Sequence, residues 1–153
     1  MGRPVQRGFT LIEVLIVLVI LGVLAVVGVP KYQDYKERIR VNQTITEIRA
    51  MNALLRNYMT DNTTPPDDLH VIGWQNKLDP WGRPYQYLKL QGVKGVAGKA
   101  RKNKSLVPLN TDFDLYSMGA DGKTAGPLTA KASRDDVLVA NDGRFVGLAS
   151  DYE

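Results

Sequence analysis

The sequence of 153 residues contains no cysteine and a single histidine, His70, and it lacks the usual signatures of catalysis. Without cysteine there is neither a disulfide nor a thiol nucleophile. No Gly-x-x-x-x-Gly-Lys-Ser/Thr loop is present to bind a nucleotide. The neighbouring carboxylates Asp67-Asp68 and Asp135-Asp136 would diverge in either a helix or a strand, so neither pair is a ready catalytic dyad. The sequence therefore predicts a protein that is not an enzyme.

Charged and strongly polar residues are also missing between Val14 and Val29. Counted from Phe9, the apolar stretch has 21 residues, and a helix of about 20 residues spans the hydrocarbon core of a bilayer. The stretch is longer than the apolar part of a secretory signal, and no clear Ala-x-Ala cleavage site follows it. Arg3 and Arg7 precede it, which predicts a cytoplasmic N-terminus and an extracytoplasmic remainder from about Lys31.

Glu13 interrupts the beginning of this apolar stretch. An ionised carboxylate in a membrane is costly and is usually paired and functional. On a helix, Glu13 would lie about 6 Å along the axis from Phe9. Spacing alone leaves two alternatives open: the carboxylate reaches the lipid head groups, or it meets a cation from another molecule.

Residues 7–25, RGFTLIEVLIVLVILGVLA, resemble the signal of type IV pilins and pseudopilins. The resemblance implies that a membrane peptidase cuts between Gly8 and Phe9 and methylates the new amino group of Phe9. It further implies that Glu13 meets the Phe9 amine of a neighbouring subunit in a staggered helix bundle, where this charge pair sets the register. The chain would then comprise a leader (residues 1–8), a membrane and filament-core helix (9–30) and an extracytoplasmic globular domain (31–153).

Beyond the apolar stretch, the pattern predicts a long helix packed on a small sheet. Helical spacing continues after Pro30, where we expect a kink, and predicts one helix from about Thr10 to Thr60. Strand patterns follow around Tyr85 and in residues 111–122, and residues 136–150 predict a hairpin with an Asn-Asp-Gly turn. The expected fold is α+β and pilin-like, with a transmembrane half-helix, an amphipathic half-helix and three or four antiparallel strands. The apolar stripe of the second half-helix consists of Val41, Ile45, Ile48, Met51, Leu55 and Tyr58.

Two later segments, DPWGRPYQY (79–87) and FDLYSMGADG (113–122), resemble the G-type major pseudopilins of type II secretion systems. This resemblance implies a structural subunit of a helical periplasmic filament that drives protein export. The expected partners are further copies of the chain, the prepilin peptidase, minor pseudopilins and a platform in the bacterial inner membrane. Two alternatives remain open: a type IV pilin for adhesion, motility or DNA uptake, and a monomeric binding domain tethered by the helix.

The resemblance to G-type pseudopilins also implies a structural calcium ion. The expected ligands are the side chains of Asp121, Asp135 and Asp136 and the carbonyl groups of Leu115 and Ser117. Calcium prefers six to eight such oxygens. The chain departs from the family pattern, however, because KTAGPLTAKASR (123–134) stands in place of a short glycine-rich link. Without the resemblance, Asp121-Gly122 reads as a simple turn and Asp135 as a capping residue.

Residues 89–104 contain six basic residues and no acidic one, which raises the possibility of nucleic-acid binding. No aromatic residue lies between Lys89 and Leu109 to stack on bases. The sequence therefore predicts a solvated loop and no nucleic-acid partner. In a filament, this loop could contact Asp112 or Asp114 of a neighbour, or anionic lipid. The nearby aromatic residues are expected to pack on a helix; they are Trp74, Trp81, Tyr85 and Tyr87.

Overall fold

The computed structural model describes residues 8–152 and has the expected α+β architecture. Within these residues it contains one α-helix and four strands, together with short 3₁₀ helices. The helix is α1 (Leu11–Asn62) and the strands are β1 (Gln86–Lys89), β2 (Phe113–Ser117), β3 (Val137–Ala140) and β4 (Phe145–Leu148). The 3₁₀ turns are Leu69–Ile72, Val96–Gly98, Lys131–Ser133 and Ala149–Asp151.

Helix α1 agrees with the predicted span to within two residues at its end. It is continuous through Pro30, the proline inside it. It ends where Thr63 adopts a φ of 63°, a left-handed conformation that cannot continue the helix. The described residues divide into two units, the first ending at Glu37 and the second beginning at Arg38.

The described part of the first unit is an apolar helix without a protein core. Every residue from 11 to 29 is exposed, and the large side chains among them are between 49% and 84% exposed. By length and composition this part of α1 can cross a membrane.

The second unit is built on an antiparallel meander in the order β1-β2-β3-β4. Tyr87 pairs with Leu115, and Tyr116 pairs with Leu138. The β3–β4 hairpin predicted from the Asn-Asp-Gly turn is confirmed. Asn141 and Asp142 have φ values of 51° and 54° there, and a type I′ turn requires a positive φ at both of its central residues.

Strand β3 is buried on both faces, which gives the sheet two cores. Val137 and Val139 face the first core, and successive strand residues alternate, so Leu138 and Ala140 face the second. The first core contains the helix stripe, with Ile48, Met51 and Leu55 at 0% exposure; Trp74 and Tyr87 pack against it. The second contains Leu109, Leu128 and Ala149. Sequence periodicity predicted the first core and gave no indication of the second.

The basic segment 89–104 is not the fully solvated loop that its composition predicted. Ala100 and Arg101 are buried. The Lys102 amide donates to the Gly126 carbonyl (3.0 Å), and the Leu128 amide donates to the Lys102 carbonyl (2.9 Å). The segment thus helps to cover the second face of the sheet, where apolar side chains would otherwise meet water. The lysines that do remain exposed are Lys94, Lys99 and Lys104.

Asp112 and Asp114, suggested above as contacts for a neighbour's basic loop, already have partners within the chain. Asp112 forms an ion pair with Arg56 (2.9 Å). Asp114 is 1% exposed and accepts from the Arg101 amide (2.6 Å) and the Asn110 side chain (2.9 Å). Asp114 in particular is inaccessible to another subunit, so that suggestion is wrong for this residue.

Candidate functional site

The Gly8–Phe9 bond, predicted to be the cleavage site, lies immediately before the helix. Gly8, Phe9 and Thr10 precede the first helical residue and are exposed, Phe9 to 90%. A protease needs an accessible backbone outside regular secondary structure, and this segment offers one. Most of the proposed leader, residues 1–7, lies outside the described residues.

Glu13 closes a capping box at the start of α1. The Thr10 amide and hydroxyl both donate to Glu13 Oε2 (2.8 Å each), and the Glu13 amide donates to Thr10 Oγ1 (3.3 Å). This reciprocal arrangement satisfies backbone amides that the first helical turn leaves free. The signature Thr-x-x-Glu before an apolar run is visible in the sequence at Thr10 and Glu13, and it is the local signal of this box.

The capping box gives Glu13 a structural role within its own helix but leaves its negative charge in place. The donors from Thr10 are neutral, so they solvate the carboxylate and leave its negative charge uncompensated. The carboxylate is thus oriented at the helix N-terminus, where the helix dipole also favours an anion. Among the described residues, no salt bridge to Glu13 is formed.

The acidic loops bring together two of the three predicted metal ligands. Asp135 Oδ2 accepts from the Asp121 amide (2.8 Å), and Asp121 Oδ1 accepts from the Lys123 amide (2.7 Å). Gly119 makes this approach possible, because a Cβ there would lie 2.1 Å from the Asp135 carbonyl oxygen. Its φ of +60° also favours glycine.

Asp136, the third predicted ligand, is committed to a different partner. Its carboxylate is 0% exposed, and Oδ2 accepts from Arg101 Nη2 (2.6 Å) and from the Thr124 hydroxyl (2.6 Å). Burial raises the pKa of this carboxyl to about 6, although Thr124 and Arg101 act in the opposite direction. Sequence reasoning missed Arg101, because nothing local distinguishes it from the other basic residues of its segment.

The DPWG segment holds the opposite side of the acidic loop. Asp79 Oδ1 accepts from the amides of Trp81 (3.0 Å) and Arg83 (2.9 Å), and its Oδ2 accepts from the Ser117 hydroxyl (2.6 Å). The resulting turn directs the Arg83 guanidinium to the carbonyls of Gly119 and Ala120. The motif therefore fixes a turn and supplies a cation to the loop.

These contacts do not form a convergent calcium site. Residues 8–152 contain no group of three or more histidine, aspartate or glutamate side chains placed to hold a metal ion. Leu115 and Ser117 lie in β2, opposite Tyr87 and Val137 respectively. Calcium at Asp121, Asp135 and Asp136 stays a prediction, and the donor arrangement described here does not fit it.

Comparison with known proteins agrees with the N-terminal motif and extends across the globular unit. The family model for the prokaryotic N-terminal methylation motif matches residues 3–29. Type II secretion system core protein G of Pseudomonas aeruginosa is 36% identical over 147 residues, covering 82% of this chain and 92% of that protein. The protein of the same name from Vibrio cholerae is 33% identical, with coverages of 79% and 85%.

Pilins are more distant in identity but align over a similar length. The type IV major pilin protein PilE of Neisseria gonorrhoeae is 28% identical, covering 92% of this chain and 88% of that protein. No solved structure matches the chain significantly.

A methylation motif leading into an apolar helix, followed by a small antiparallel sheet, defines the class of pilin-like proteins. Within this class, the chain belongs to the family of type II secretion system core protein G. It is therefore a pseudopilin.

Proposed function

We propose that the chain is the repeating subunit of a type II secretion pseudopilus, a periplasmic filament whose growth drives protein export. The observation that carries this proposal is the uniformly apolar, exposed surface of residues 14–29. Such a surface is stable in lipid or against other helices, so the same segment serves the membrane-inserted subunit and the filament core. A head-to-tail contact that does not close on itself generates an open helical filament.

Processing precedes assembly in this proposal. A prepilin peptidase cleaves between Gly8 and Phe9, which lie before the helix and are exposed, and the Phe9 amino group is methylated. Arg3 and Arg7 keep the N-terminus cytoplasmic and place the globular unit in the periplasm. Minor pseudopilins and an inner-membrane platform complete the machinery.

Glu13 is the assembly residue. The capping box orients its carboxylate but supplies only neutral donors. The Phe9 amine of a neighbouring subunit supplies the missing positive charge, and this pairing fixes the axial offset between helices. A charge pair that sets register is a well-attested use of buried polar groups.

The test is filament assembly by Glu13→Ala, with Asp34→Ala as the matched control on an exposed part of the same helix. Electron microscopy should show filament yield reduced by at least about tenfold for Glu13→Ala, because a loss of about 1.4 kcal/mol of binding free energy at a subunit contact changes the association constant tenfold. Mass spectrometry should show normal cleavage in both variants. Normal filament yield from Glu13→Ala would contradict the assigned role.

The same images separate the two pilin-like functions. Short filaments that depend on the secretion machinery support the pseudopilus. Long fibres on the cell surface would support the type IV pilin alternative, which the similarity to the Neisseria pilin keeps in consideration.

A further inference from the structure

Arg101 is a buried cation on the second face of the sheet, against Tyr116. It is 3% exposed, although it lies in the most basic segment of the chain. Its guanidinium donates to Asp136 Oδ2 (2.6 Å), to the Ala125 carbonyl (2.9 Å) and to the Thr124 hydroxyl. Its guanidinium carbon also lies 4.5 Å from the centre of the Tyr116 ring, a cation–π distance.

The Arg101 backbone is fixed as firmly as its side chain. The amide donates to Asp114 Oδ2 (2.6 Å), and the carbonyl accepts from the Leu109 amide (2.7 Å). One residue therefore joins the basic segment to β2, to the 124–125 loop and to the residue that precedes β3. Two of these parts, β2 and Asp136, are also the parts that the predicted calcium ligands Leu115, Ser117 and Asp136 would hold together.

We propose that Arg101 is the built-in structural cation of this domain, and that it takes the place of a divalent metal in tying the 121–136 loop to the sheet. This inference concerns the stability of the subunit and does not depend on the proposed filament.

The charges around Arg101 explain why a cation is needed there. Asp136 and Asp114 are 0% and 1% exposed, and a buried carboxylate is strongly unfavourable unless it is paired and hydrogen-bonded. Asp114 has an amide and Asn110 as donors, while Asp136 receives the guanidinium. Removing Arg101 would leave Asp136 with the Thr124 hydroxyl as its remaining side-chain donor among the described residues.

Part of the oxygen set that calcium would require is already engaged. Asp136 Oδ2 accepts from Arg101 and Thr124, and Asp135 Oδ2 accepts from the Asp121 amide. Asp136 Oδ1 is buried without a hydrogen-bond partner among the described residues, so it is a ligand oxygen that stays free. Calcium needs six to eight oxygens. A divalent ion at Asp136 would also lie beside the Arg101 guanidinium and be repelled by it.

The first test needs no variant. The chain in detergent is heated with a calcium chelator or with calcium at about 10 mM, a concentration that exceeds the Kd of even weak protein sites, and unfolding is followed by tryptophan fluorescence. Both tryptophans, Trp74 and Trp81, lie in the globular unit. The proposal predicts the same midpoint in both conditions. A midpoint that rises by several degrees with calcium and falls with chelator would overturn it, because ligand binding to the folded state stabilises that state.

The second test removes the cation. Arg101→Met should lower the midpoint by more than about 10 °C, because an unpaired buried carboxylate remains. Lys99→Met, an exposed change in the same segment, should leave the midpoint unchanged. The double variant Arg101→Met/Asp136→Asn should recover much of the loss, since neither charge is then left alone. Additive losses in the double variant, or a mild effect of Arg101→Met, would contradict the proposal.

Discussion

Residues 8–37 and residues 38–152 solve the problem of apolar surface in opposite ways. In the first region the apolar side chains from 11 to 29 are all exposed. In the second, the sheet buries side chains on both faces, and β3 has no exposed residue among its four. The first region therefore requires lipid or other subunits, whereas the second is complete as a folded unit.

The two regions also differ in how they balance the charge of a glutamate. Glu47 accepts from the Tyr85 hydroxyl (2.5 Å) and the Gln43 amide (3.0 Å), and Lys77 lies 3.5 Å away as a cation. Among the described residues, Glu13 accepts hydrogen bonds from the neutral amide and hydroxyl donors of Thr10 and forms no salt bridge. A carboxylate whose charge is balanced within its own fold stabilises that fold, and the assembly role proposed for Glu13 requires a carboxylate whose charge is not balanced in this way.

The largest expected difference between the regions comes from truncating leucine. Leu138→Ala should destabilise the globular unit by about 3 kcal/mol, because Leu138 is 0% exposed and its removal leaves a cavity. Leu18→Ala, in the exposed apolar helix at 62%, should change that stability by less than about 0.5 kcal/mol. Urea titration followed by tryptophan fluorescence measures both. Equal effects would remove the contrast between the regions.

Glycine substitutions sharpen the comparison at the backbone. Gly119→Ala should cost about 2 kcal/mol, because Gly119 has a positive φ and a Cβ would press against the Asp135 carbonyl. Gly22→Ala, in the apolar helix, meets nothing within 4 Å and improves helix propensity. Thermal unfolding in detergent should show a clear loss for the first and none for the second. A stable Gly119→Ala would refute the close approach.

The stability that Glu47 contributes to the globular unit should depend on pH. Burial opposes ionisation, but Tyr85, Gln43 and Lys77 outweigh it and lower the Glu47 pKa below its usual value of 4.5. The stabilisation is thus present above that value and lost as pH falls through the lowered pKa. Glu47→Gln should cost about 1 kcal/mol at neutral pH, a modest figure because the site is partly exposed. The difference from wild type should shrink towards pH 3, and a pH-independent difference would argue against it.

The smallest expected effect is at the capping box. Thr10→Ala removes the hydroxyl that bonds Glu13, whereas Thr10→Ser retains it. Hydrogen exchange should accelerate a few-fold at the first amides of α1 in Thr10→Ala. Strand β2 should be unaffected in both variants. Unchanged exchange in Thr10→Ala would mean that the box does not hold the helix end in solution.

Local patterns explain which parts of the fold could be predicted from the sequence. The helix stripe at Ile48, Met51 and Leu55 follows a 3.6-residue period, and the Asn-Asp-Gly sequence predicts the β3–β4 hairpin. Both depend on residues close together in the chain. The N-terminal motif is equally local, and the methylation-motif match confirms it.

The second core and the Arg101 cluster could not be predicted in this way. They join residues distant in sequence, such as Arg101 with Asp136 and Leu109 with Leu128. The composition of residues 89–104 predicted a solvated loop, because the sequence alone does not distinguish the buried Arg101 from the exposed lysines of the same segment. The capping box was different, since its signature was present in the sequence and was overlooked.

The central claim is that Glu13 receives its compensating charge from another subunit. An electron cryomicroscopy map of the assembled filament, at a resolution that shows side chains, tests this claim most directly. The account predicts the Glu13 carboxylate of one subunit within about 4 Å of the Phe9 amino group of the next, the range of an ion pair. A filament in which Glu13 contacts only its own Thr10, with every Phe9 amine elsewhere, would contradict it.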